Sequence, residues 1–335
     1  MIFLNFSKYI LLRISKPTPE FIIYSPRFNA NSGGNVVLYD LARRLRDKGY
    51  KSSIWIDERP AFSRDYFSKV GRSPLRFFVR WVRYILKKYN LPHDLRSTSW
   101  VDRENDIVVY PEITPGNPLG VRKVVRWILY FPGSLAGAPS YGPRDLFFIF
   151  AEVFANKFVP PGAQTFCLPL AARPFYRQYN FSERHGDLVL IRKGRNRSQG
   201  LHPKDAQRID DKGHEELCSL FNRAKKLYSY DLYTAYNIFA SICGCIPIVL
   251  PADGVSEEEW LPDITDRYGI AYGEERISFA LGTRALLLAK LTEDEAKAEG
   301  EMEKFLEKVS THFGTRLMEP TSIPGKRGAT EELDS

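Results

Sequence analysis

Short apolar runs alternate along the chain with longer stretches whose apolar residues recur every three or four positions. Residues 21–26 begin with four apolar residues, two of them β-branched, which is typical of a buried strand. Residues 36–50 follow with Val37, Leu38 and Leu45 on one face, which predicts an amphipathic helix. Strands that alternate with helices in this way indicate an α/β fold, with parallel sheets covered by helices on both faces.

The same alternation continues to the end of the chain. Further strands are predicted at residues 52–57, 106–112 and 124–133, in the run that ends at Val159, and at residues 165–170, 188–194, 227–230, 246–250 and 269–273. Further helices are predicted at residues 214–226, from the neighbourhood of Leu232 to Gly244, at residues 276–291 and at residues 293–313.

The length of 335 residues suits two domains of about 150 residues each. Residues 171–187 lack periodicity and are rich in charged residues and helix breakers, so we place the linker between the domains there. We therefore predict two Rossmann-like domains that face a cleft, over residues 1–175 and 176–316. Residues 317–335 carry no apolar periodicity and are predicted to be a mobile tail.

Composition narrows the class of protein. A hydrophobic fraction of 44% and a charged fraction of 26% are those of a globular protein that folds in water. The four cysteines show neither a metal-ligand spacing nor a disulfide framework, and Cys243-Gly-Cys245 is too short for a C-x-x-C redox motif. We expect a reducing, cytoplasmic location, no metal and no cofactor.

The net charge of +8 favours anionic partners, namely nucleic acid, a membrane surface or phosphorylated small ligands. Two segments, residues 1–16 and 76–89, combine basic and aromatic side chains and could contact an anionic membrane from the cytoplasmic side. In the alternative interpretation their apolar side chains belong to the core and only the basic ones face solvent. The chain contains no apolar run long enough to span a bilayer.

Candidate site residues follow the predicted strands, because ligands of open parallel sheets bind at the carboxyl ends of the strands. Gly33 and Gly34 lie directly before a helix, where a bare backbone can approach an anionic ligand closely. Arg192 and Lys193 end the first strand of the second half, where their charge could neutralise a diphosphate. A plain tight turn and a solvated basic loop are the respective alternatives.

A third candidate stretch ends the strand at residues 227–230. Ser229, Tyr230 and Asp231 precede a helix, which places Asp231 near its N-cap with a carboxylate that could accept hydrogen bonds from sugar hydroxyls. Thr234 follows at the spacing that shares one face of a helix with Asp231. An ordinary N-cap explains Asp231 equally well when it is considered alone.

The order of these three stretches resembles that of the GT-B nucleotide-sugar glycosyltransferases, nearest to retaining family 4 and to bacterial polysaccharide and lipopolysaccharide-core transferases. The likeness is sharpest over residues 217–250, in which an acidic strand end leads into a helix, a glycine and a proline-containing strand. It implies transfer of a sugar from a nucleotide sugar to a glycan or a lipid-linked acceptor, in the synthesis of cell-surface polysaccharide or lipopolysaccharide. It also implies a retaining, metal-independent reaction.

The resemblance assigns roles to the candidate residues. Asp231 and Thr234 would orient the sugar, with Ser229 and Tyr230 beside them in the donor site. The cations at residues 192–193 and the amides at residues 33–34 would stabilise the leaving diphosphate.

The sequence departs from the family pattern at two places. When the family motif is aligned on Gly244, its first acidic residue falls on Asp231, but its second, which grips the ribose, falls on Phe239. The family's cleft histidine is also missing, so Glu112 at the end of the run 106–112 is the acidic candidate on the acceptor side. The alternative is that Glu112 is a simple loop carboxylate.

Three other functions compete with this interpretation. A GT-B-type sugar-nucleotide epimerase would need carboxylates and histidines in the cleft for proton transfer. The small number of histidines in the chain disfavours it: His93, His185, His202, His214 and His312. A catalytically inactive transferase-like partner subunit is compatible with Phe239. A basic nucleic-acid-binding protein is the least favoured, because no nucleic-acid-binding motif is recognisable.

Overall fold

The computed structural model describes residues 18–60, 75, 78, 79, 81, 82, 91, 92, 94–198 and 200–317. The basic segment 1–16, most of the segment 76–89 and residues 318–335 of the predicted tail lie outside the described residues. Among the residues that are described, no helix is long and apolar enough to cross a bilayer.

The first sheet contains six parallel strands in the order β2-β1-β3-β4-β5-β6. The strands are β1 (Phe21–Ser25), β2 (Ser52–Ile56), β3 (Ile107–Pro111), β4 (Lys123–Ile128), β5 (Leu146–Ile149) and β6 (Gln164–Thr165). Strands β1 to β3 are buried along their whole length, which explains why their central residues are apolar in the sequence, although β2 begins with two serines.

Helix α1 (Gly33–Asp47) connects β1 to β2. The apolar face predicted for it is buried, with Leu41 and Leu45 fully inaccessible to solvent. The helix begins earlier than the apolar periodicity indicates, so Gly33 and Gly34 are its first residues instead of a preceding loop. Their backbone therefore forms the N-terminal turn of a helix on the edge where the strands end.

The second sheet contains five parallel strands in the order β11-β10-β9-β7-β8. The strands are β7 (Asp187–Leu190), β8 (Gln207–Arg208), β9 (Lys226–Ser229), β10 (Ile246–Val249) and β11 (Ala271–Tyr272). The helices are α2 (His214–Arg223), α3 (Ala235–Ile242), α4 (Glu257–Trp260) and α5 (Ile277–Phe313). The prediction of a mixed α/β protein with two Rossmann-like parallel sheets is thereby confirmed.

Two strand predictions were wrong in extent, and one strand was missed. The run that ends at Val159 forms a strand only as far as Ile149, and a single 3-10 turn follows. Of residues 165–170 only Thr165 belongs to a strand, the two-residue β6. Strand β8 was missed, since two residues within a charged loop carry no apolar pattern.

The prediction of two separate helices at the C-terminal end was also wrong, because α5 is one continuous helix. Leu287 and Leu291 pack into the core of the second sheet, whereas Phe305 and Val309 pack into the core of the first. The hydroxyl of Thr292, at the predicted break, donates to the carbonyl of Leu288 at 3.0 Å and so remains within the helical pattern. One helix thus packs against both sheets.

Candidate functional site

A cavity of about 260 Å³ lies at the carboxyl ends of strands from both sheets. We call it the cleft cavity and define it by the predicted site residues that line it: Gly33, Gly34, Glu112, Arg192, Lys193, Asp231 and Thr234. These residues follow β1, β3, β7 and β9, so four separate loops of the chain meet there. Ligands of parallel sheets bind at this edge.

Ser229 and Tyr230 do not line the cleft cavity, and both are fully buried. The Ser229 hydroxyl donates to the carbonyl oxygen of Asp231 at 2.9 Å. The Tyr230 hydroxyl accepts from the backbone N–H of Gly200 at 2.9 Å and from that of Leu201 at 3.0 Å. These two side chains hold the loops after β7 and β9 in place. They therefore support the wall of the cavity and do not occupy the donor-binding position predicted for them.

The start of α1 is open to the cleft cavity. The N-cap residue Ser32 makes no side-chain capping bond, and no described residue accepts from the amides of Gly33 and Gly34. A Cβ atom on Gly33 would have no heavy atom within 4 Å, and one on Gly34 would only touch Leu129 at 3.6 Å. Neither glycine has a positive φ, so the backbone conformation of the fold does not require glycine at these positions. Their lack of a side chain leaves the N-terminus of the helix uncovered.

We expect Gly33→Ala to leave the stability of the free protein within about 0.5 kcal/mol, because the added methyl group meets open space. If a ligand approaches the amide of Gly33, the same methyl group should weaken its binding about tenfold. Melting temperature and ligand affinity measured on the same preparations would separate the two effects. Unchanged affinity would show that no ligand contacts this turn.

Arg192 connects the two sheets. Its φ of 39° is in the left-handed region, and no other non-glycine residue among those described has a positive φ. Its backbone N–H donates to Asp210 Oδ1 at 2.6 Å, and its guanidinium donates to the carbonyl oxygen of Asn31 and lies 4.7 Å from the centroid of the Tyr236 ring. Strained backbone of this kind is found preferentially at functional sites.

Lys193 extends into the cleft cavity beside two carboxyl groups. Its Nζ lies 3.8 Å from the centroid of the Tyr130 ring and 3.5 Å from the carbonyl oxygen of Tyr233. Desolvation by the surrounding protein lowers the pKa of Lys193, while the charges of Asp231 and Glu112 oppose that shift. The charge of the ammonium therefore acts on the acidic candidates of both sheets, and all three residues line the same cavity.

A close backbone approach fixes this loop against the end of β9. A Cβ atom on Gly194 would lie 2.4 Å from the carbonyl oxygen of Tyr230, a distance that no side chain could occupy. Only glycine permits the contact, which holds the preceding residues Arg192 and Lys193 beside Asp231.

Helix α3 begins three residues later than predicted, at Ala235. Thr234 is its N-cap and accepts from the backbone N–H of Tyr236 at 3.4 Å. The predicted arrangement of Asp231 and Thr234 on one helical face was therefore wrong. The two residues nevertheless both line the cleft cavity, because the turn between them curves around it.

Asp231 is only 2% exposed and its two carboxylate oxygens differ in environment. Oδ1 accepts from the backbone N–H of Tyr233 at 3.3 Å, whereas Oδ2 has no hydrogen-bond partner among the described residues. A buried carboxylate oxygen without a partner costs free energy, so native proteins seldom retain one without a reason. In the wall of a cavity, a ligand hydroxyl is a fitting donor for it.

Glu112 lies across the cavity, one residue after β3, and is 7% exposed. Its Oε2 accepts from the backbone N–H of Leu129 at 3.0 Å, and its carbonyl oxygen accepts from the hydroxyl of Tyr141 at 3.0 Å. Burial raises the pKa of Glu112 to about 7, although the hydrogen bond from Leu129 and the charge of Lys193 oppose the rise. A carboxyl group with this pKa can exchange a proton near neutral pH.

The raised pKa of Glu112 predicts a pH-dependent stability. Since the pKa rises from 4.5 to about 7 on folding, the folded protein binds this proton more tightly than the unfolded chain. Glu112 therefore costs no folding free energy below about pH 4.5, and the cost grows to at most about 3 kcal/mol as the pH rises through 7. Urea unfolding at about pH 5 and about pH 8 should show this loss in the wild type and a smaller loss in Glu112→Gln. The exposed control Glu307→Gln should behave like the wild type, and identical pH profiles for all three proteins would contradict the prediction.

His214, at the start of α2, also lines the cleft cavity and was missed at the sequence level. Its Nε2 lies 2.8 Å from the carbonyl oxygen of Ala30, and its Nδ1 lies 2.6 Å from the hydroxyl of Tyr176. The arrangement fits a neutral ring that donates from Nε2 to Ala30 and accepts at Nδ1 from Tyr176. Because Ala30 is 184 residues away along the chain, no local signal could have revealed the contact.

Phe239 occupies the position at which the resemblance implies a ribose-binding carboxylate. Its ring is 3% exposed and stacks on the ring of Tyr176, with centroids 4.2 Å apart and planes at 8°. The stacked pair belongs to the core of the second sheet, although the edge of Phe239 reaches the cleft cavity. A ribose bound here would have to obtain its polar contacts from other groups.

No protein-family model matches the chain, and no curated protein matches it either. Within the described ranges, no group of three or more His, Cys, Asp or Glu side chains is arranged to hold a metal ion. The function is therefore inferred from the side chains of the cleft cavity itself.

Proposed function

We propose that the protein is a glycosyltransferase that moves a sugar from a nucleotide-sugar donor to a hydroxyl group of a glycan or a lipid-linked acceptor. The two sheets would then be the acceptor and donor halves of a GT-B arrangement. The observation that carries the proposal is the meeting of an unpartnered buried carboxylate oxygen on Asp231 with two cations and an open helix N-terminus in one cavity. A sugar supplies the hydroxyl groups, and a diphosphate supplies the negative charge.

The donor diphosphate would lie between Arg192, Lys193 and the first turn of α1. Charge-assisted hydrogen bonds and helix N-terminal amides stabilise the negative charge that develops on a leaving diphosphate. Arg192 would exchange its hydrogen bond to the carbonyl oxygen of Asn31 for one to a phosphate oxygen. With these cations in place, the reaction is proposed to be metal-independent and to need no cofactor.

The transferred sugar would lie next to Asp231, whose Oδ2 would accept a hydrogen bond from a sugar hydroxyl. Tyr130 and Tyr233 present aromatic rings in the wall of the same cavity. These rings can cover the apolar face of a sugar and exclude water, which would otherwise hydrolyse the donor.

Glu112 is the proposed proton acceptor for the incoming hydroxyl group. The oxygen of the acceptor attacks the anomeric carbon, the bond to the diphosphate breaks, and the hydroxyl proton passes to the Glu112 carboxylate. A base with a pKa near 7 is well matched to this step at neutral pH. Retention of configuration is expected from the resemblance alone.

A lipid-linked acceptor would require contact with a membrane at its cytoplasmic side, and exposed apolar residues of the basic segment support that part of the proposal. Phe78 and Trp81 in this segment are 58% and 48% exposed, and Leu75, directly before it, is 69% exposed. Aromatic side chains next to arginine and lysine favour the interface of an anionic bilayer.

The test is a thermal-shift panel with UDP, GDP, TDP, CMP and ADP on the wild type, Arg192→Ala and Arg195→Ala. A nucleotide at a hundredfold excess over its Kd stabilises the folded state by about 2.7 kcal/mol. We expect one nucleotide to raise the melting temperature, Arg192→Ala to abolish the rise, and Arg195→Ala to retain it, because Arg195 is exposed and does not line the cleft cavity. No rise with any nucleotide, or equal losses in both variants, would refute a donor site here.

A second candidate function, an inactive transferase-like partner subunit, is favoured by the buried Phe239–Tyr176 stack at the ribose position. This candidate predicts that no donor is turned over, and the absence of a shift with every nucleotide of the panel would favour it. The epimerase alternative is less well supported, since both ring nitrogens of the cavity histidine, His214, are already engaged.

A further inference from the structure

A second cavity, of about 450 Å³, lies at the opposite edge of the first sheet. It is lined by Glu20, Lys51 and Ser52, which lie at the amino ends of β1 and β2, together with Arg46 from the last turn of α1 and Arg96. We call it the amino-end cavity. It shares no lining residue with the cleft cavity.

Three basic side chains of this cavity, Arg46, Lys51 and Arg96, make no ion pair with any described carboxylate. The neighbouring arginines of α1 differ from them, since Arg43 pairs with Asp94 at 2.6 Å and Arg44 pairs with Asp40 at 2.7 Å. The adjacent arginines of the same helix are therefore neutralised, whereas Arg46 has no ion pair with a described residue and lies beside Lys51 and Arg96.

The remaining polar groups of the cavity are suited to an anion. The carboxylate of Glu20 is already engaged, because its Oε1 accepts from the hydroxyl of Ser53 at 2.6 Å. The hydroxyl of Ser52 is buried and has no hydrogen-bond partner among the described residues. A buried hydroxyl that lacks a partner costs free energy, and an anion in the cavity could accept its hydrogen bond.

We propose that the amino-end cavity binds a phosphate group. Three cations against one carboxylate leave a net positive charge that favours a phosphate group, which carries two negative charges as a monoester and one as the diester of a phospholipid. Arginine presents its N–H groups in a fork that fits phosphate oxygens. The open cavity has room for the group to which the phosphate is attached, so both a free phosphate ester and the headgroup of a phospholipid satisfy the same chemistry. The proposal does not depend on glycosyl transfer.

The experiment measures binding of inorganic phosphate and of glycerol 3-phosphate to the full chain by calorimetric titration at constant ionic strength. A second arm measures sedimentation with phosphatidylglycerol vesicles, compared with phosphatidylcholine vesicles. The proteins are the wild type, Arg46→Gln, Arg96→Gln, Ser52→Ala and Lys308→Gln. Lys308 is an exposed lysine on α5 outside both cavities, so its variant controls for the loss of one positive charge.

We expect Arg46→Gln and Arg96→Gln each to weaken binding at least about tenfold, and Lys308→Gln to change it less than about twofold. Ser52→Ala should weaken binding while leaving the free protein as stable as the wild type or more so, because it removes an unpartnered buried hydroxyl. Because Arg192→Ala alters only the cleft cavity, it should retain the binding that depends on Arg46.

Binding of the soluble phosphates identifies a free phosphate ester as the source. Binding to phosphatidylglycerol vesicles alone, with the same dependence on Arg46 and Arg96, identifies a lipid headgroup. The proposal is overturned if neither probe binds, or if Lys308→Gln weakens binding as much as Arg46→Gln does, since that result would reflect net charge and not a site.

Discussion

Asp231→Asn is expected to lower kcat at least about a hundredfold while changing the free energy of unfolding by less than about 1 kcal/mol. The substitution keeps the size of the side chain and an oxygen that can accept from the N–H of Tyr233. It removes the negative charge and replaces the unpartnered Oδ2 with an amide group, which can no longer accept a hydrogen bond from a sugar hydroxyl. Loss of one well-placed polar contact in a transition state typically costs about a hundredfold to a thousandfold in rate.

The size of the expected loss in kcat depends on whether the contact is made in the ground state or strengthens in the transition state. If Oδ2 binds the sugar equally in the ground state and the transition state, KM rises and kcat is unchanged, whereas a contact that strengthens as the glycosidic bond breaks lowers kcat. We expect the second outcome, because Lys193 belongs to the proposed diphosphate site and its charge interacts with those of both Asp231 and Glu112.

The measurement is a steady-state assay with the donor found in the nucleotide panel, combined with urea unfolding of the same proteins. Asp253→Asn provides the matched control, since Asp253 is an exposed carboxylate after β10 that does not line the cleft cavity. Activity of Asp231→Asn within a factor of about three of the wild type would exclude a role for this carboxylate in the reaction. A folded variant that binds nucleotide but shows no turnover, like the wild type, would favour the inactive-subunit interpretation.

Much of the fold could be predicted from the sequence because its strands are buried on both faces. The centres of the runs at residues 21–26 and 106–112 are continuously apolar, because a buried parallel strand does not alternate between apolar and polar side chains. The prediction fails where a single helix packs first against one hydrophobic core and then against the other. Residues 293–313 resemble a separate charged helix because α5 leaves one core and reaches the other. Between Leu291 and Met302 the only buried apolar residue of α5 is the small Ala298.

The candidate site was only partly predictable, for a related reason. Gly34, Arg192 and Asp231 could be found because each follows a strand, and the carboxyl ends of parallel strands share one edge. Which side chain of a strand end faces the cavity depends on packing that the sequence does not display, and so Tyr230 was assigned to the site although it supports a loop. The contact of His214 with Ala30 depends on how two distant loops meet.

The core of the first sheet contains a second group whose removal should have a large effect, Arg126 on β4. Its side chain is 0% exposed and its Nε donates to Asp145 Oδ2 at 2.6 Å. Its terminal nitrogens donate to the carbonyl oxygens of Thr114, at 2.8 Å, and of Gly116. These acceptors belong to the loop that follows Glu112, so one buried cation holds the backbone next to Glu112 at the cleft cavity.

Arg126→Met is expected to destabilise the protein by about 3–5 kcal/mol, because it removes the cation that pairs with the buried carboxylate of Asp145 and leaves the carbonyl oxygens of Thr114 and Gly116 without donors. Arg122→Met is the matched control, since Arg122 forms its ion pair with Glu104 on the surface, where such pairs contribute at most about 1 kcal/mol. Urea unfolding at neutral pH measures both differences. Equal effects of the two substitutions on the free energy of unfolding would mean that solvent replaces the hydrogen bonds of Arg126, which would contradict the prediction.

If Arg126→Met remains folded at low temperature, its activity should fall further than its stability predicts, because the loop that positions Glu112 has lost its anchor.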